Sequence, residues 1–570
     1  MTVTNILQDK IKKYWQVDGF VIEPAKMQFG DLTVNVAFIL AKQRKLPPLQ
    51  VAREIADKLS QDKELADIFS RIEAVQPGYV NFYFSDKYLK NVLADIISGN
   101  FGLNVGQGKK IVIEYSSPNT NKPLHLGHLR NDALGMALAN ILQFLGFEVI
   151  KTSVINDRGI HIMQSLLAYL KWGEGKTPDQ VGKKGDQFVG DFYVRFHQEA
   201  EKDPTLKEEA AELLRRWEQG DQEIRQIWRQ LNEWVFQGWR ETYNLYGSEF
   251  DKWYYESELY DKGKSIIKQA AEKGIVKQRS DGAYVIDLSK FGLGSRESGE
   301  KVLLRADGTT VYITQDIYLA IKRYEDFNFD KMIYVVASEQ EYHFKVLFAI
   351  LDILGAGLSD KLFHFSYGMV NLPEGKMKSR QGKVVDADEL ISQMIDLAKV
   401  EIEQRSPNLP ITEKEENAKA IALSAIKYWF LRANPRSTLT FDPKKSLDFE
   451  GDTGPYLLYS YVRLRSILRK ADWKEKVKIE QDLPEAERNL LRKMARWPFV
   501  LQHFMDGYNI NLICLFLNEL ASDFNSYYHS HPVLQSDEEI KKLRLQLIAA
   551  GSSLLKKGLE MLNIKTVEKM

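Results

Sequence analysis

The chain has a single cysteine, no net charge and no long apolar run, and each scarcity removes a class of explanation. Cys514 sits inside the apolar stretch Asn511–Leu517, so it reads as a small buried side chain. One thiol can form neither an internal disulfide nor a cysteine-based zinc site. Lys+Arg and Asp+Glu both total 78, which leaves no long-range field to attract a polyanion. Any nucleic-acid contact must come from a local basic face. No uninterrupted apolar segment reaches the ~20 residues that span a bilayer. The opening stretch MTVTNILQDKIKKYW lacks the apolar core of a signal peptide, and its acidic residue and missing Arg do not suit a transit sequence. The expectation is a protein of the reducing cytoplasm with no membrane partner. Internal repeats and low-complexity tails are absent.

What is present is an ordinary globular composition, 44% hydrophobic and 27% charged, over 570 residues. That length is too great for one core and calls for several domains. Residues 1–108 read as a small α+β domain, with a helix through Val51, Ile55 and Leu59 and an alternating strand at Tyr79–Phe84. Gly99, Gly102, Gly106 and Gly108 mark a linker. Residues 109–395 then show the rhythm of an α/β Rossmann-type domain with a parallel sheet. A strand is expected at Lys110–Tyr115, and turn chemistry at Ser116–Asn119. A helix is expected from His128 to Gly146, and a second strand at Phe147–Lys151. Further strands are expected at Val311–Ile313 and Met332–Val336, so the charged, helical stretch of about 170–300 is an insertion. Within it, Ile224, Ile227, Trp228, Leu231, Trp234 and Val235 form a stripe read as packing. Residues 396–453 read as a helical connection, and 454–570 as an all-α bundle.

Two segments carry chemistry. Pro118 to His128 lies between a strand and a helix start, where free N–H groups and the helix dipole favour a phosphate. His125 and His128 can both face that point, Gly127 admits a flat ligand close to the backbone, and Lys122 adds a cation. A lone histidine there would be an ordinary hydrogen-bonded side chain. The pair with Gly127 in this setting favours the phosphate reading, and zinc is weaker because no third ligand is apparent. The second segment, Gly375 to Gly382, brackets Lys376, Lys378 and Arg380 between glycines, as a loop closing on a polyphosphate would. By itself it is a common type of basic surface loop.

His125-Leu126-Gly127-His128 followed by Lys376-Met377-Lys378-Ser379-Arg380 resembles the paired signatures of class I aminoacyl-tRNA synthetases. Glu114 to Asn119, Val311 to Asp316 and Ile333 to Gln340 look specifically like arginyl-tRNA synthetases. The resemblance implies arginine, ATP with Mg²⁺ and tRNA(Arg) as substrates, with no zinc, no organic cofactor, no metal held by protein side chains, and action as a monomer. It implies an N-terminal domain touching the tRNA elbow and a C-terminal bundle reading the anticodon. It assigns ATP to Pro118, His125, Gly127, His128, Met377 and Lys378. It assigns arginine to Glu114, Ser117, Asn119, Tyr312, Asp316 and Gln340, and tRNA to Tyr459, Arg463, Arg465 and Tyr528. Glu114 and Asp316 suit a permanently protonated guanidinium, although ion pairing within the protein would explain either carboxylate as well. Lys378 stands where the usual loop has its first serine and Ser379 where it has its second lysine, which leaves Lys122, Lys376 and Lys378 as candidates for the catalytic cation. A glutamate enzyme would want a cationic pocket. A small nucleotidyltransferase is usually shorter and lacks the bundle. A dead homologue kept for RNA binding would have no reason to retain both histidines.

Overall fold

Residues 3–295, 298–371, 385–473 and 479–570 are described by a computed structural model. Near the N-terminus an antiparallel sheet runs in the order β1-β2-β4-β3. Its strands are β1 (Ile22–Pro24), β2 (Leu32–Val34), β3 (Phe69–Val75) and β4 (Tyr79–Phe84). Alternation in β4 turns Val80, Phe82 and Phe84 inward. Helix α1 (Pro48–Ser60), opened by a proline in its first turn, buries Val51, Ile55 and Leu59.

The glycine-marked stretch after Gly99 carries no helix or strand and leads to β5 (Lys110–Glu114). Helix α2 (Leu126–Phe144) connects β5 to β6 (Glu148–Ile155). The insertion supplies α3 (Gly185–Lys202) and α4 (Gln222–Tyr246), and Ile224, Leu231 and Val235 of the stripe are buried. Then come β7 (Lys252–Tyr255) and a small antiparallel sheet of β8 (Lys277–Gln278), β9 (Tyr284–Asp287) and β10 (Glu300–Leu304). Helix α5 (Tyr312–Phe327), β11 (Lys331–Ala337), α6 (Glu341–Ile353) and β12 (Leu362–Tyr367) complete the central α/β body. The main sheet is wholly parallel, in the order β12-β11-β5-β6-β7. Val112 of β5 packs in one core with Ile317, Met332, Leu347 and Ile350, as a strand covered by helices requires.

One expectation is corrected here. Val311–Ile313 does not form a strand: Val311 alone is extended, and α5 begins at Tyr312. Ile313, Ile317 and Ala320 recur at helical spacing and are buried on one face, and that periodicity outweighs three residues of high strand propensity.

Helices α7 (Ala387–Arg405) and α8 (Ile411–Leu431) follow. The C-terminal bundle comprises α9 (Gly454–Lys470), α10 (Glu485–Met494), α11 (Asn511–Ser530) and α12 (Glu538–Met561), with Cys514 buried. The chain divides into two compact units. Val105–Leu447 with Met561–Asn563 form one, and Met1–Asn104 with Asp448–Glu560 and Ile564–Met570 form the other. Inside the latter, Arg492 Nε donates to Asp31 Oδ1 at 2.6 Å, and its Nη2 donates to the carbonyls of Met27 and Gly30. Arg488 clasps both oxygens of Asp86 at 2.8 and 2.9 Å. Asp31 is 1% exposed, and a carboxylate so deeply buried needs such a partner. No helix among the described residues is long and apolar enough to cross a membrane.

Candidate active site

From β5 the chain builds the sheet outward through β6 to β7, and later returns on the other side of β5 with β11 and β12. The strand order therefore reverses between β5 and β11. A crevice opens at such a point beyond the carboxyl ends of the strands, where ligands of open α/β sheets bind. Glu114 is the last residue of β5 and lies opposite Tyr334 of β11. The chain then turns sharply through Ser116, whose φ of +68° is in the left-handed region. Such a conformation in a residue other than glycine costs ~1–3 kcal/mol and persists only when neighbours hold it. Here the Asn131 side chain accepts the Ser116 N–H at 2.6 Å, and the Ser116 hydroxyl pairs with that of Tyr243 at 2.9 Å. Pro118 accepts from the Asn156 N–H, and Asn119 bridges to Asn156, which steers the chain back toward α2.

His125 is the N-cap of α2, with extended backbone. Its Nδ1 accepts the Gly127 N–H at 3.1 Å, and its own N–H donates to His128 Nδ1, also at 3.1 Å. The ring centroids lie 3.9 Å apart. An Nδ1 that accepts cannot carry the proton, so each neutral imidazole bears it on Nε2 and is a donor there. Burial, aided by the charge of Lys122, pushes His125 down to about 3. Burial holds His128 well below its ordinary value as well. The pair thus supplies two uncharged donors at a helix start. A Cβ on Gly127 would lie 3.0 Å from His125 Cε1, so any larger residue would crowd that ring. Burial also lowers Lys122. Lys122 and His125 line a cavity of about 400 Å³ together with Lys183, Gln187 and Asp386.

Lys376, Met377 and Lys378 lie outside the described residues. Both flanks of that segment are tied to α2. The fully buried Arg130 donates from Nη1 to the Met369 carbonyl at 2.8 Å, and from Nη2 to the carbonyls of Pro435 and Ser437. On the other side, Leu126 N–H donates to the Val385 carbonyl, and Ala387 N–H to that of Leu124.

The acidic residues show a feature that sequence reading missed. Glu114 Oε2 is 2.5 Å from Nη1 of Arg323, while the Ser117 hydroxyl donates to Oε1 at 3.3 Å. Asp316, in the second turn of α5, accepts on Oδ2 from His343 Nε2 at 2.6 Å. Buried Tyr334 feels the charges of Arg323, Glu114 and Asp316 together, which puts all of them in one neighbourhood. Glu256 hydrogen-bonds the Gln315 side chain next to Asp316, and burial pushes its carboxyl up to about 7. Tyr312 stands one turn before Asp316 and is 77% exposed. Asn119 is half-buried, and Gln340 is exposed at the end of the short turn before α6. Arg323 follows Asp316 by two helical turns, a spacing visible once α5 is read as a helix. Nothing local in the sequence marks His343.

In α9, Tyr459 is 42% exposed and Arg463 follows one turn later, its guanidinium 4.6 Å from the Tyr528 ring centre. Arg465 and Arg469 both lie near Glu568, at 3.5 and 3.3 Å. Tyr461, Phe524 and Tyr527 are core residues.

Comparison with known proteins covers nearly all of the chain. Residues 89–442 match the family described as tRNA synthetases class I (R), catalytic domain. Residues 457–570 match the DALR anticodon binding domain, and 1–84 the arginyl tRNA synthetase N terminal domain. The arginine–tRNA ligase of Parabacteroides distasonis is 42% identical over 96% of this chain and 95% of its own. That of Treponema denticola is 41% identical over 96% and 94%. Among solved structures, Thermus thermophilus arginyl-tRNA synthetase superposes with a TM-score of 0.84 at 26% identity, covering 100% of both chains. With a parallel sheet that reverses at β5, a histidine pair capping α2 and these relatives along its length, the chain belongs to the arginyl-tRNA synthetase family of class I ligases.

Proposed function

We propose that arginine activation and transfer to tRNA are carried out at the β5–β11 crevice by the residues described above. The arginine carboxylate attacks the α-phosphate of ATP, which forms arginyl-adenylate and releases pyrophosphate. The terminal ribose hydroxyl of tRNA then takes the arginyl group and AMP leaves. In such phosphoryl chemistry the protein's work is to align the reactants and stabilise growing negative charge. His125 and His128 do this through their Nε2–H donors, with Pro118 and Gly127 shaping the nucleotide bed. Removing one such donor costs roughly 3–4 kcal/mol of barrier. Lys122, Lys376 or Lys378 holds the leaving pyrophosphate with its Mg²⁺, and Met377 contributes to ATP binding.

Glu114 and Asp316 receive the arginine guanidinium, with Tyr312 beside it. Asn119 and Gln340 hold the α-amino and carboxylate ends, and Ser117 lines the same arginine site. Tyr459, Arg463 and Tyr528 offer stacking and charge to unstacked anticodon bases, and Arg465 reaches backbone phosphate. Residues 1–108 contact the tRNA elbow, and the enzyme acts as a monomer. The observation that carries this reading is the pairing of two uncharged donors with an acidic neighbourhood at one strand-order reversal. The test is pyrophosphate exchange into ATP, run with tRNA and each amino acid in turn. Exchange is expected with arginine alone, and equal exchange with lysine or glutamate defeats the assignment.

A further inference from the structure

Arg323 is 0% exposed, and Glu114 is its one ion-paired carboxylate among the described residues. Its guanidinium is walled in by the rings of Tyr254 on β7 and Tyr334 on β11, with centroids 5.2 and 5.8 Å away. The protein therefore keeps a guanidinium of its own, sealed from water, on the outer oxygen of the carboxylate assigned above to the substrate's guanidinium.

This arrangement has two consequences. A free carboxylate can accept a planar guanidinium on both oxygens or on either one. With Oε2 occupied, Oε1 is the oxygen left to accept from a substrate, and the Ser117 hydroxyl already donates to it at 3.3 Å. The second consequence is charge. Glu114 and Asp316 are the two carboxylates assigned to the substrate, and Arg323 sets one positive charge against the first of them. Without Arg323 the Glu114 carboxylate would lose this ion pair, and a buried carboxylate left unpaired is costly. Lysine at this position would keep the charge but lose the planar fork.

We propose that Arg323 is a positioning residue for amino-acid selection: it pins Glu114 by Oε2, so that Oε1 remains for the substrate. The proposal rests on the assignment of Glu114 to the arginine slot. Arg323 acts through Glu114 and touches no substrate itself.

The test is a double-mutant cycle in the full-length enzyme, read as Michaelis constants for arginine and for ATP in tRNA-dependent pyrophosphate exchange. Arg323→Met and Glu114→Gln are each expected to raise the arginine constant about tenfold or more and to leave the ATP constant within about twofold. The double variant is expected to be no worse than Glu114→Gln alone, because Arg323 has nothing left to position. Arg323→Lys is expected to fall between wild type and Arg323→Met. If Arg323→Met fails to fold because it strands a buried carboxylate, the double variant removes both charges, and Arg323→Lys still reports on the position. Multiplicative losses in the double variant, or an ATP constant that rises in step with that for arginine, overturn the role of Arg323. An unchanged arginine constant in Glu114→Gln overturns the assignment of Glu114, and this proposal with it.

Discussion

At the scale of residues, the histidine pair works because it is uncharged. With His125 held at about 3, the donor form persists through neutral and mildly acidic pH, so exchange activity should show no acid limb near pH 6.5 arising from the pair. Stability behaves differently. An unfolded imidazole takes up a proton as pH falls through ~6.5, while folded His125 does not until about 3. The unfolded state binds more protons across that window, so stability is complete above it and is lost as pH falls toward 3. The urea midpoint of His125→Gln is therefore expected to depend less on pH than that of wild type between 6.5 and 4. Equal slopes would contradict the assigned state. Asp316→Asn should weaken arginine binding about tenfold or more, the cost of losing a charge-assisted hydrogen bond, with little change for ATP. An arginine Michaelis constant that does not move takes Asp316 out of the slot. His125, Gly127 and His128 were legible in the sequence because their geometry is local: three residues and one helix start contain it. The pairing of Glu114 with Arg323 was not, since it joins a strand end to a helix far along the chain.

At the scale of elements, α2 is the hub. Its first turn holds the histidines, Asn131 keeps the strained turn at Ser116, and Arg130 gathers three carbonyls from Met369, Pro435 and Ser437. Arg130→Met should lower the stability of the catalytic unit by about 3–5 kcal/mol, because a buried multi-point network is lost at once. It should also depress exchange more than it raises the arginine Michaelis constant. A melting temperature within error of wild type would show that these bonds are replaceable. The strands β5, β6 and β11 and the helices α1, α2 and α4 were readable from periodicity alone, since each has one buried face or is buried throughout. Val311–Ile313 was misread because valine, tyrosine and isoleucine, all of high strand propensity, look the same in a strand and in the first turn of a helix. Only Ile317 and Ala320 beyond them settle the period.

At the scale of the whole molecule, composition and length called for several domains, but no local pattern reveals that the first and last parts of the chain make one compact unit. That fact lives in long-range pairs such as Arg492 with Asp31 and Arg488 with Asp86. Arg492→Ala is expected to raise amide hydrogen exchange together in β2, β4 and α10, because each relies on the same buried charge, and to leave β5 and β6 protected. Exchange that rises in α10 alone would mean that the two ends are energetically separate. The same joint sets a timetable for biosynthesis. The sheet β1–β4 leaves the ribosome first, with the Asp31 carboxylate still lacking its arginine, and the whole of Val105–Leu447 must be translated before that arginine is made. At ~5–20 residues per second the wait is on the order of tens of seconds, during which a nascent chain carries an unfinished domain that chaperones can occupy.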